Sequence, residues 1–414
     1  MEKTAAQQSL WKNRIFTKMF VSYSISSFGD WFDMTALMIL FSYTWQANSF
    51  LVALVPISYA LPSIFLGQLA GVYADRWRKL PVMIGTDLIR AVLTIALIWA
   101  GTPYLALPIM LLRATASIFN TPAQQALLRK TVAEEHLLKA STMIGMVMQI
   151  SKVAGPLLGA TLIALFSVKV CLVINVVSFF VSALILVSAG KVAEPGMESA
   201  QQMAAAKSSV LSSWKEGWST LFSIRVLYMS FIFYLIGFFT LQMVDSQFGI
   251  LLRTLAPDSA SLLGYVIAMV GFGMFCVGGI LSGMKNMKSF GWTLSVGCLL
   301  TGVAFGGFGL LEVGASAGLI LGCSFLGGVG VGFNIIGFSF LRQRETPPET
   351  MGRITGITNS LTSAVVILGP MLGGVLIGAL GVSAAFSITG YVMLGVGLIG
   401  VLCKRLIWNG GEQA

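Results

Sequence analysis

Charge is the scarcest ingredient of this 414-residue chain: 10% of its residues are Asp, Glu, Lys or Arg, against 56% hydrophobic, with a mean hydropathy of +0.86. A soluble domain of that composition would have too little polar surface to meet water, so that class is excluded. Strict polar–apolar alternation over stretches of about 10 residues is also missing, which excludes a membrane-spanning barrel. The only histidine is His136, and no His, Cys or Glu cluster has metal-ligand spacing, so neither a metal centre nor an intramembrane metalloenzyme is expected. No Gly-rich loop ends in Lys-Ser or Lys-Thr, which removes the phosphate cradle of an ATP-driven pump. No catalytic residue, metal or cofactor is therefore expected. The five cysteines, Cys171, Cys276, Cys298, Cys323 and Cys403, are scattered singly and read as packing residues. The opening MEKTAAQQSLWKNRIF is followed by no small-residue cleavage site, so no removable signal peptide is expected.

What the chain has is long apolar runs. A bilayer core about 30 Å thick takes roughly 20 apolar residues of helix to cross. About twelve such stretches are readable, near 19–45, 50–73, 81–101, 103–127, 140–165, 168–190, 225–250, 261–284, 290–311, 315–340, 353–378 and 384–403. The expected fold class is an all-α membrane protein, with the lipid bilayer as its solvent.

The net charge of +10 suggests nucleic acid until its distribution is followed. Of 26 Lys and Arg, 21 fall in the two tails or the even-numbered connections, while connections around Asn48, Gly101 and Gly381 have none. That is the positive-inside asymmetry, so both termini are expected to be cytoplasmic and no nucleic-acid partner is implied. All the tryptophans except Trp31 fall near expected helix ends, where amphipathic rings anchor at headgroups.

The longest polar stretch, 191–215, divides the chain. The expected organisation is a six-helix bundle over 1–190, a cytoplasmic linker over 191–220 and a second six-helix bundle over 221–414. At an offset of 214 residues, Gly155, Pro156 and Gly159 of GPLLG align with Gly369, Pro370 and Gly373 of GPMLG. Two parallel repeats suit a transporter whose substrate site lies near the midplane between them. In both motifs the glycines allow close helix approach and the proline bends the span, so all six residues are candidates for hinge and packing roles.

Gly71-Val72-Tyr73-Ala74-Asp75-Arg76-Trp77-Arg78-Lys79 resembles the loop between helices 2 and 3 of the major facilitator superfamily. The resemblance implies two pseudo-symmetric six-helix bundles. It also implies a gating loop in which Gly71 permits tight packing and Asp75 faces the amino-terminal end of helix 11, a latch favouring the outward-facing state. The matching loop of the second half, Gly283-Met284-Lys285-Asn286-Met287-Lys288, has no acidic residue. Gly145, Gly155, Pro156 and Gly159 resemble the helix 5 motif of antiporters in that superfamily, with Lys152 a departure. Arg113 with 119–128 (FNTPAQQALL) and the stretch 346–354 (TPPETMGRI) resemble the twelve-span drug-efflux branch that includes macrolide and siderophore exporters.

An ionisable side chain at mid-bilayer costs about 2.5–3.5 kcal/mol, so each one is a candidate for function. Asp30 and Asp33 lie roughly 16 to 22 Å along helix 1 and share one face by their i, i+3 spacing. Arg113 on helix 4 comes to a similar depth, so an Asp–Arg pair is geometrically possible, either as a proton-responsive site or as a structural ion pair. Asp87 and Arg90, three residues apart on helix 3, either pair locally or extend the gating network of Asp75, Arg76, Arg78 and Lys79. Asp245 lines an exterior vestibule or meets headgroups, and Lys152 faces the cavity or pairs with an acid. Trp31 reads as core packing. The expectation is proton-coupled efflux of a lipophilic or amphipathic small molecule by a monomer in the bacterial cell membrane. A siderophore or lysophospholipid exporter is the alternative within transport, and a non-transporting sensor or scaffold the alternative outside it.

Overall fold

The computed structural model describes residues 10–189, 218–283, 291–347 and 350–403, without the side chains of 68–76, 282–283, 291–292 and 352–353. Among the described residues the helices with both ends in view are α1 Arg14–Ile39, α2 Ser49–Arg76, α3 Lys79–Trp99, α4 Pro103–Ser117, α5 Asn120–Thr131, α6 Glu134–Leu165, α7 Val168–Ala189, α8 Arg225–Asp245, α9 Phe248–Leu255, α10 Leu262–Gly283, α11 Gly291–Leu310, α12 Ala317–Glu345, α13 Met351–Leu380 and α14 Val382–Leu402. Among the described residues there is no strand.

Ten of these helices are long and apolar enough to cross a membrane. The expected spans 103–127 and 225–250 are each divided, the first into α4 and α5 and the second into α8 and α9. The first break has a local cause. Pro122 brings no amide hydrogen and crowds the carbonyl four residues earlier, at Ile118, where α4 ends. The expected loop over Gly71–Lys79 is also shorter than read: α2 runs on to Arg76, leaving only Trp77 and Arg78 before α3.

The chain divides into two compact units, one of Met1–Gln46 with Ile57–Ala205 and one of Ala47–Pro56 with Ala206–Ala414. In the first, α1 packs on α6 and α7, and α3 on α7, α4 and α5. Asn13 starts α1: its Oδ1 accepts from the Ile15 and Phe16 amides at 3.1 Å, satisfying two donors a helix end leaves free. Its Nδ2 donates to the Thr131 carbonyl at 2.5 Å, tying the start of α1 to the end of α5. Phe16, Met19, Leu80, Met83 and Leu127 close the core there.

In the second unit α11 packs on α12 and α14, α10 on α12, and α13 on α8. Glycine sets these distances. A Cβ on Gly390 would lie 2.6 Å from the Gly306 Cα, so α11 and α14 touch backbone to backbone. Phe248, Phe305, Phe308 and Phe386 fill the space beside this contact, with edge-on pairs at 5.2 Å. The first turn of α2 belongs to this unit: Ser49 Oγ donates to the Gly374 carbonyl at 2.8 Å, and Gln247 Nε2 donates to the Ser49 carbonyl at 3.0 Å. Between α13 and α14 the turn rests on Gly381, whose φ of 84° and ψ of 162° suit glycine alone.

The internal repeat extends to element starts. Pro103 and Ala317, opening α4 and α12, and Val168 and Val382, opening α7 and α14, are each 214 residues apart. α4 plus α5 in the first unit thus corresponds to the continuous α12 in the second.

Candidate functional site: a buried charge cluster

Asp30 and Asp33 leave α1 on one face, and the structure gives each a guanidinium. Asp33 pairs with Arg113 of α4, and Asp30 pairs with Arg90 of α3. The side chains of Arg113 and Asp33 are 4% and 1% exposed, so their pair sits in a dry interior where a lone charge would be untenable. Asp30, at 39%, is the open edge of the cluster.

Neutral groups complete the coordination. Tyr59 of α2 receives a hydrogen bond from Arg113 Nη2, and Thr94 of α3 receives one from Nη1 at 3.3 Å. Thr94 in turn donates to the Arg90 carbonyl at 2.7 Å, so the two arginines are joined through α3. Arg90 lies over the Phe179 ring at 4.2 Å, a cation–π contact that shields it on the α7 side.

Asp87 is held differently. Its Oδ2 accepts from the Ser182 hydroxyl of α7, and its Oδ1 accepts from the Asn120 amide at 3.4 Å. Arg90 Nη1 stands 3.9 Å away. Ser182 shares a further hydrogen bond of 2.6 Å with Ser22 of α1, and Asn120 also donates to Thr86 at 2.9 Å. Three carboxylates therefore face two guanidiniums.

Of the residues singled out by sequence, Asp30, Asp33, Asp87, Arg90 and Arg113 come together in this one cluster. Asp87 and Arg90 are thus tied to helix 1 rather than only to each other. Lys152 does not join: it is half-buried on α6 and makes no hydrogen bond or ion pair among the described residues. Asp245 is exposed on the last turn of α8 in the second unit. The side chains of Gly71, Asp75 and Arg76, and the loop 284–290, lie outside the described residues, while Arg78 is exposed and Lys79 is buried with its ammonium on the Trp77 carbonyl at 2.9 Å. Gly155 takes the Trp31 side chain against α6, Gly159 lies against Phe32 and Thr35, Gly369 takes Gln242, and Gly373 lies on the Met243 backbone, with Pro156 and Pro370 inside their helices. Tyr59, Thr94, Ser182 and Ser22 were missed by sequence. A signal existed in the polar run Ser22–Ser27 of an otherwise apolar span and in Ser178 and Ser182 on one face of α7.

Among the described residues, the corresponding interior of the second unit carries no buried charged side chain. Tyr234, Gly237, Phe238, Thr301, Asn334 and Met393 border a small hollow there. By the offset of 214, Thr301, Asn334 and Met393 stand at the register of Asp87, Asn120 and Phe179.

The family model of the Major Facilitator Superfamily matches residues 19–367. The chain belongs to the Major Facilitator Superfamily. Among relatives of this superfamily member, the MFS-type transporter YfiS of Bacillus subtilis (strain 168) is 32% identical over 390 residues, covering 94% of this chain and 93% of the relative. Macrolide efflux protein A of Streptococcus pyogenes is 22% identical over 345 residues, covering 82% of this chain and 84% of its own. Among solved structures, the nucleoside transporter NupG superposes with a TM-score of 0.70 at 15% identity, covering 94% of this chain and 99% of NupG. A bacterial homolog of the human lysosomal transporter Spinster, inward-facing and unoccupied, gives 0.68 at 14%, covering 94% and 95%. At those identities the structures speak for the fold alone. The protein is an all-α, multi-pass membrane transporter with the major facilitator fold.

Proposed function

We propose that this transporter exports lipophilic or amphipathic small molecules, such as drugs, in exchange for protons, working by alternating access as a monomer in the bacterial cell membrane with both termini cytoplasmic. The observation that carries the reading is the largely buried cluster of Asp30, Asp33, Asp87, Arg90 and Arg113 on α1, α3 and α4, of which α3 is among the helices long and apolar enough to cross a membrane. Ionisable side chains at that depth are costly, and a fold that only had to span a membrane would be more stable without them. Loss or gain of a proton on a carboxyl facing an arginine changes the attraction between their helices, which biases one conformation over another. The efflux activity of the macrolide relatives supports the outward direction of transport.

The test is efflux from proteoliposomes loaded with a lipophilic fluorescent dye, driven by an imposed proton gradient. Asp33→Asn is expected to abolish gradient-driven efflux while the protein stays folded, and a protonophore is expected to stop the wild type. Efflux that continues undiminished without a gradient overturns the proton-exchange reading.

A further inference from the structure

We infer that Asp87 carries the proton that the transporter exchanges, with Ser182 and Ser22 turning their hydroxyls to match either of its states; this rests on the proton-exchange reading above. The argument begins with charge balance. Three buried or half-buried carboxylates share two guanidiniums, and Asp30 and Asp33 each hold one at hydrogen-bond distance. Asp87 is the carboxylate left over: it is 2% exposed, and its nearest cationic nitrogen, on Arg90, is 3.9 Å away. An unbalanced negative charge in so dry a place is what a proton would relieve.

The surroundings of Asp87 suit both of its states. Ser182 is bonded to Asp87 on one side and to Ser22 on the other, and in the bond between the two serines either hydroxyl is able to donate. With Asp87 ionised, the donors run from Ser22 to Ser182 to the carboxylate. With Asp87 protonated, its O–H donates to Ser182, and Ser182 donates to Ser22. Each of the three groups keeps at least one hydrogen bond in both directions; the one donor released when Asp87 is protonated is the Ser22 O–H. Arg90 provides the second half of the device: its Nε is buried and has no hydrogen-bond partner while its Nη2 is committed to Asp30. That arrangement fits a protonated Asp87, and ionisation would draw Arg90 away from Asp30.

Other titratable or charged groups around Asp87 are few. On its own helix there is Arg90. From α1 come Asp30, reached through Arg90, and Asp33, reached through Arg113 of α4. The ionisable groups of α7, Lys169 and Cys171, lie about three turns from Ser182, and the basic residues of α5, Arg129 and Lys130, are exposed at the end remote from Asn120. Among the described residues, Arg90 alone offers Asp87 a nearby positive charge in place of the proton.

The test is infrared difference spectroscopy of the full-length protein in lipid, taken between acidic and alkaline buffer without substrate, alongside the dye-efflux assay. Wild type is expected to show a buried carboxyl C=O band that vanishes in alkali, Asp87→Asn to lack it, and Asp33→Asn to keep it. Ser182→Ala should move the band to higher frequency, because the protonated carboxyl loses a hydrogen-bond partner; this variant decides the matter should Asp87→Asn fail to fold. A band that survives unchanged in Asp87→Asn, or is unmoved in Ser182→Ala, overturns the assignment. Gradient-independent efflux with the Asp87 band intact would instead sink the exchange reading and leave Asp87 as a titrating group without that role.

Discussion

At the same register of the two repeats, the first unit places Asp87, Asn120 and Phe179 where the second places Thr301, Asn334 and Met393. The asparagine is common to both, yet its task differs. Asn120 donates to the Asp87 carboxylate, whereas Asn334 donates to the Gly330 carbonyl at 3.2 Å and accepts from the Cys298 thiol at 3.6 Å. One interior is held by ionic and hydroxyl contacts, and the other by helix backbones brought together at glycines. The repeat preserves where helices start and which residues face inward, while leaving each half free to use a different kind of attraction.

The contrast breaks most sharply at Arg113. Arg113→Met strands Asp33 in a dry site and is expected to destabilise the protein by about 3–5 kcal/mol. Thermal unfolding in detergent measures this, and adding Asp33→Asn should restore much of the loss. Next is Thr301→Asp, which plants a carboxylate where no guanidinium waits. It should cost about 2.5–3.5 kcal/mol, seen as reduced membrane yield and lower unfolding temperature. Asp87→Thr, the reverse exchange, leaves two acids facing two bases and should cost distinctly less. An equal penalty for both would mean that the two interiors are not different in kind. Gly390→Ala tests the backbone contact of the second unit and is expected to cost about 1–3 kcal/mol by overpacking against Gly306, again by thermal unfolding. The smallest effect belongs to Arg344 and Glu345, whose pair at 3.4 Å is 51% and 32% exposed. Glu345→Gln should change stability by less than about 1 kcal/mol in the same assay.

Much of the fold was legible because lipid imposes simple rules. Uninterrupted apolar runs gave the helices, and the matching GPLLG and GPMLG motifs gave the register that the element starts follow. Depth along a helix is also simple arithmetic, which is why Asp33 and Arg113 were readable as possible partners. Azimuth is not: it depends on tilt and on which neighbour packs where. For that reason the sequence offers Arg90 either Asp87 or the gating loop as a partner, and not Asp30, to which it also reaches. Neutral partners were harder still. Most serine and threonine hydroxyls in these helices bond their own preceding turn, as Thr240 and Thr389 do, so a Ser182 that instead reaches Asp87 looks no different in sequence. The division of α4 from α5 was missed because a proline near the end of an apolar run reads equally as a bend within one span.

Asn13 has a consequence for how a buried event would be observed. Its amide rivets the first turn of α1 to Thr131, the last residue of α5, while Asn120, the first residue of α5, holds Asp87. A strut of roughly 18 Å therefore links the amino-terminal end of one helix to a buried acid on another. Whatever shifts at that acid is transmitted along a stiff lever, so a spin label on exposed Lys130 should feel, from outside the lipid, a displacement that begins far from any solvent.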